Sequence, residues 1–131
     1  MSAEPAAPLD GAMIGLAIGR LTLGAISRLA PAVTARLIGA GPSPGPEWDY
    51  MTRIFGIRAI ALGTGYLTSA GEARRHWQRL ALLCDASDTV AGVGLIRRGE
   101  VSRGSALWMT FITGAYSAIG AARVLEDGRG R

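Results

Sequence analysis

The sequence predicts an all-α protein, a four-transmembrane-helix bundle, on three observations. Residues 104–122 contain no ionisable side chain other than Tyr116, and as a helix they would extend about 28 Å, close to the thickness of a bilayer core. Glycines recur inside the apolar segments, with Gly11, Gly15 and Gly19 at intervals of four in the first. In a water-soluble helix each would cost about 1 kcal/mol relative to alanine, whereas in lipid a glycine stripe lets a second helix approach closely. The charges lodged within apolar runs are also matched in sign: Arg20 and Arg58 lie in two of them, Asp85 and Asp88 in a third.

Taken in order, residues 1–9 form a Pro- and Ala-rich segment expected to be flexible, with Asp10 positioned to cap a helix. The first span is expected over 11–30 and carries the glycine stripe. Pro31 ends or kinks it, and the mixture of Val33, Leu37 and Ile38 with Arg36 suggests a short interfacial helix. Alternating prolines and glycines make 39–47 the one clear linker.

The second span, 50–70, opens beside Trp48 and Tyr50, an aromatic pair suited to the headgroup region, and contains Arg53, Gly56, Arg58 and Gly63. Arg53 lies near its end, within reach of water, while Arg58 is deeper. Residues 71–79, with Arg74, Arg75, His76 and Arg79, read as a polar connection in which Trp77 marks a membrane interface. The third span, 78–97, ends at Arg97, Arg98 and Gly99. Ser102 or Ser105 can cap the fourth, 104–123, and residues 126–131 form a charged tail. Four crossings place both termini on one side, with basic residues shared evenly between the two faces, so the positive-inside rule assigns no orientation.

Composition narrows the function classes. The chain has 131 residues and a net charge of +4, and all its basic residues are arginine. The arginines are scattered through and around apolar segments, without the basic face or recognition motif of a nucleic-acid-binding protein. One cysteine, Cys84, excludes an intramolecular disulfide. The N-terminus is acidic where a secretory signal is basic, so insertion is expected to rest on the helices themselves.

The candidate site is the charge cluster Arg20, Arg58, Asp85 and Asp88. Each such residue at the centre of a membrane helix costs about 2.5–3.5 kcal/mol, so the four together would cost about 10–14 kcal/mol if exposed to lipid. The expected arrangement turns all of them inward, two guanidinium groups against two carboxylates. Small residues beside the acids, Ala81, Cys84 and Gly92, would let a neighbouring helix supply the arginines. Glycines expected to mediate helix packing are Gly11, Gly15, Gly19, Gly56, Gly63, Gly92 and Gly114. His76 lacks a paired nucleophile or a second ligand at metal spacing, and Asp85 with Asp88 lacks the rest of a metal site. No catalytic residue, metal or cofactor is therefore expected.

The run Arg53-Ile-Phe-Gly-Ile-Arg-Ala-Ile-Ala-Leu-Gly, followed by Trp77 and by Asp85-Ala-Ser-Asp88, resembles a family of uncharacterised small four-helix membrane proteins of actinobacteria, known by a domain-of-unknown-function label. The resemblance covers roughly residues 53–125. An acid often follows the second arginine in that family, whereas Ala59 stands there in this chain. What the resemblance implies is the fold and a role for Arg53, Gly56, Arg58, Gly63, Asp85 and Asp88, with no activity attached.

The expectation is a multi-pass protein of the bacterial plasma (inner) membrane, without catalysis. Its expected partners are the lipid bilayer and other membrane protein subunits or further copies of itself, as an accessory or scaffold subunit of a larger membrane complex, such as a transporter. The alternatives are a small proton, cation or solute carrier using Asp85 or Asp88, and a soluble helical bundle.

Overall fold

The computed structural model describes residues 8–41, 45–100 and 102–129, which form five helices and, among the described residues, no strand: α1 (Pro8–Leu29), α2 (Pro31–Leu37), α3 (Pro46–Thr68), α4 (Gly71–Arg98) and α5 (Arg103–Arg129). Prolines and glycines at the helix boundaries explain the breaks. Pro31 occupies the first turn of α2, where its missing N–H costs nothing, and Ala30 is the sole non-helical residue between α1 and α2. Pro46 plays the same part at the start of α3, after Gly45 at φ +111°. Gly99 closes α4 in the left-handed conformation, its N–H reaching the Leu95 and Ile96 carbonyls. The Ser105 N–H donates to Ser102 Oγ, which makes Ser102 the cap of α5.

Three boundaries differ from the sequence-based expectation. Residues 71–79 are the opening turns of α4 rather than a connection. Their polarity belongs to a water-facing helix end, where Arg75 pairs with Glu72 and the Arg74 Nε donates to the Ser69 carbonyl at 2.7 Å. Residues 126–129 continue α5 instead of forming a tail. Asp10 lies within the first turn of α1 and meets Arg123 of α5 at 2.9 Å. Of the segment expected to be flexible, 1–7 lies outside the described residues, whereas Pro8 and Leu9 are helical; residues 42–44 of the linker and 130–131 of the tail also lie outside them.

The long helices pack as two antiparallel pairs, α1 on α3 and α4 on α5, which meet along an α3–α4 seam and an α1–α5 seam, while α2 folds back on α1 and α3. Spacing along α1 shows how it is seated: Met13, Ala17, Arg20, Gly24 and Ser27 are buried, alternating steps of four and three that keep one face toward the neighbours. By length and composition α1 is the one described helix apolar enough to cross a membrane.

Backbone-to-backbone approach is concentrated between α1 and α3. A methyl group on Gly56 would stand 2.7 Å from the Arg28 amide nitrogen and 2.7 Å from the Gly24 carbonyl oxygen, and one on Gly63 would stand 2.8 Å from the Ala17 carbonyl oxygen. Gly24, which the sequence reading did not single out, is therefore a contact glycine. Gly11 and Gly15 are not: no described residue lies within 4 Å of where their methyl groups would be. The expected stripe is thus split, with only Gly19 meeting a neighbour, Tyr116 of α5. Gly92 accommodates Thr110, and Gly114 faces the Thr89 methyl inside the α4–α5 pair. Trp77 lays its ring against Gly65, filling the α3–α4 seam.

Candidate functional site: two arginine–aspartate pairs

Arg20 and Asp85 come from diagonally related helices, α1 and α4, and meet in the interior. Arg20 Nη2 donates to Asp85 Oδ2, and the two side chains are only 9% and 12% exposed. The guanidinium also stacks over the Tyr116 ring, 4.7 Å from its centroid, so a third helix, α5, closes over the cation. The aspartate is presented from the helix face that also carries buried Ala81 and Gln78, one and two turns earlier, and Thr89 Oγ1 donates back to the Asp85 carbonyl at 2.7 Å.

Arg58 and Asp88 form the second pair, from α3 and α4: Arg58 Nη2 donates to Asp88 Oδ2 at 2.6 Å. It is not inward-facing. The side chains are 41% and 30% exposed, and the pair lies on the outer side of the α3–α4 seam. The expectation that all four charges turn inward is therefore corrected. Asp85 and Asp88 are three residues apart, about 60° around the helix, so one points into the bundle while the other reaches its surface. Gly92 does not admit an arginine beside these acids; it serves the contact with α5.

The polar interior extends beyond the pairs. Ser27, Thr34, Thr52 and Gln78 are buried along with Arg20 and Asp85. Thr34 and Ser27 bond to each other at 3.2 Å, and Gln78 Nε2 donates to Asp127 Oδ2 at 3.3 Å, next to the Asp10–Arg123 bridge at one end of the bundle. Beside Arg20, Tyr66 and Gln78 a cavity of about 10 Å³ remains, room for no more than a single water. Among the described residues no group of three or more His, Cys, Asp or Glu side chains is placed to hold a metal ion, and His76 is exposed on α4.

Sequence reasoning placed Arg53 at the water-accessible end of its span without a partner. It donates from Nη1 to the Arg28 carbonyl at 2.6 Å, setting a cation on the C-terminal end of α1, where exposed carbonyls and the helix dipole favour positive charge. Arg53→Ala is expected to lower stability by about 1 kcal/mol, with Arg53→Lys recovering part of it, as measured by denaturant titration followed by circular dichroism.

The chain matches no protein-family model, no curated protein and no solved structure.

Proposed function

We propose that this chain is a multi-pass protein of the bacterial plasma membrane, its four long helices crossing the bilayer, and that it acts without catalysis as an accessory or scaffold subunit of a larger membrane complex. The observation that carries this reading is a partly polar interior under a broadly apolar exterior. Beside an apolar core that includes Met13, Leu16, Ala17, Leu62 and Tyr66, the interior holds Arg20, Asp85, Gln78, Ser27, Thr34 and Thr52, while Ile18, Ile57, Leu83, Val90, Leu107 and Phe111 are each more than half exposed. A buried charge pair and broad exposed apolar surface are the informative departures from an ordinary water-soluble protein, and such a surface marks contact with lipid or protein.

A soluble bundle would bury its most apolar helix, yet only 28% of the most apolar window of α1 is buried within the chain. Part of the polarity of α3 and α4 lies in charges that meet across the bundle, Arg58 with Asp88 and Asp85 with Arg20. Arg58 and Asp88 count as polar in any sum over the sequence but face each other in space. At 28 residues α4 is about 42 Å long, longer than a bilayer core of about 30 Å, which leaves its arginine-rich first turns outside.

The scaffold reading is favoured over a carrier by the interior itself: Asp85 is paired with a buried guanidinium, and the adjoining cavity has no volume for a solute. Membranes from the expressing cell, washed with alkaline carbonate, are expected to retain the full-length chain. Release of the chain into the supernatant would refute membrane spanning, and purification as a solitary monomer in mild detergent would refute the accessory role.

A further inference from the structure

We propose that the α3–α4 seam is a self-association surface, on which a second copy of this chain completes a four-charge cluster with Arg58 and Asp88. The inference rests on the membrane-spanning reading above. Arg58 and Asp88 are 41% and 30% exposed beside the middle of α3, a depth at which a charge pair facing lipid is costly. The seam therefore needs a cover with charge of its own. An arginine and an aspartate side by side on one surface are self-complementary under a two-fold axis: rotation about the bilayer normal reverses the direction from Arg58 to Asp88. Arg58 then faces the partner subunit's Asp88, and Asp88 faces the partner subunit's Arg58. Each carboxylate gains a second guanidinium and each guanidinium a second carboxylate.

The side chains around the pair suit the same arrangement. By helical angle, Ile54, Ile57 and Ala61 flank Arg58 on the outer side of α3, with Ile54 and Ile57 43% and 54% exposed. Cys84, Ser87 and Ala91 flank Asp88 on the outer side of α4, Ser87 and Ala91 exposed and Cys84 half-buried. The two-fold axis sets the α3 of one copy against the α4 of the other, so branched residues meet small ones at the level of the charges, the arrangement that lets helices approach in lipid.

The test uses two differently tagged full-length copies coexpressed and pulled down in mild detergent after carbonate washing. Wild-type copies are expected to capture each other. The double substitution Arg58→Asp with Asp88→Arg restores the pair within each chain and between two substituted chains, but sets like charges together in a mixed dimer. Substituted copies should therefore capture each other, while capture of wild type by substituted chain falls at least 10-fold. Ala91→Trp, which leaves both charges in place and adds bulk on the exposed face, should abolish wild-type-like self-capture. Indiscriminate capture between wild type and the swapped chain, self-capture unaffected by Ala91→Trp, or capture of a different protein with no self-capture would each overturn the proposal. A chain that fails the carbonate wash defeats the membrane reading instead, so the two failures are told apart by fraction.

Discussion

Removing one member of the interior pair, by Arg20→Leu or Asp85→Leu, is expected to lower stability by about 3–5 kcal/mol, while removing both together recovers most of that loss. The reason lies in what remains behind. With Arg20 gone, the Asp85 carboxylate stays in an environment that leaves its side chain 12% exposed, and Arg58, a more distant cation, is already hydrogen-bonded to Asp88 on the outer side of the seam. With Asp85 gone, the guanidinium keeps only the Tyr116 ring. An uncompensated buried charge is the expensive state, whereas two apolar side chains filling the same space carry no such penalty. For a domain stable by about 5–15 kcal/mol in total, the single substitutions should sharply reduce accumulation in membranes, and the double substitution should restore it.

The measurement is a double-mutant cycle on unfolding midpoints in mixed detergent, followed by circular dichroism. A coupling energy below about 0.5 kcal/mol, the level at which distant sites are additive, would show that the pair does not hold the bundle together. A further variant, Asp85→Asn, separates the scaffold from the carrier. A proton or cation carrier built on Asp85 would tolerate Asp85→Asn as a folded, inserted protein and lose flux; a structural clasp loses the protein itself.

Much of this arrangement is legible in the sequence, and the physics shows where the legibility stops. Arg20, Arg58, Asp85 and Asp88 stand out because an ionisable group midway along an apolar run is costly wherever the run is buried, in lipid or in protein. That cost is local and can be read residue by residue. Which arginine meets which aspartate is not local, since it depends on the order of helices around the bundle, and nothing in the spacing of α4 distinguishes the inward Asp85 from the outward Asp88 until α1 and α3 have been placed.

The end of α4 was obscured for a different reason. The arginines at positions 74, 75 and 79 look like a loop to a hydropathy reading, but no proline interrupts residues 71–98, and a helix that extends past its packed region is free to be polar. Glycine periodicity, in turn, says which residues share a face without saying where that face points. Gly11 and Arg20 are nine residues apart, half a turn around the helix at about 100° per residue. If Arg20 is turned inward toward its counter-ion, Gly11 must face out. Orienting α1 by its charge rather than by its glycines leads directly to the face that carries Ala17, Gly24 and Ser27.

That distinction sets the sign of a second pair of effects. Gly56→Ala is expected to destabilise the protein by about 1–3 kcal/mol, the usual cost of overpacking a close contact, while Gly11→Ala or Gly15→Ala is expected to be neutral or to stabilise it by up to about 1 kcal/mol through helix propensity. The methyl group at position 56 would meet backbone, at 2.7 Å from both the Arg28 nitrogen and the Gly24 oxygen. Backbone cannot rotate aside as a side chain can, so α1 and α3 must separate along the line where they are closest. Separation would also draw Arg53 away from the Arg28 carbonyl that it caps. At positions 11 and 15 the added methyl meets no described residue within 4 Å, and the lost freedom of the glycine backbone in the unfolded state decides the sign. Unfolding midpoints of the three variants under one set of detergent conditions would check the signs. Gly11→Ala or Gly15→Ala as damaging as Gly56→Ala would mean that the outer face of α1 is itself a tight packing surface, occupied by something other than this chain's own helices.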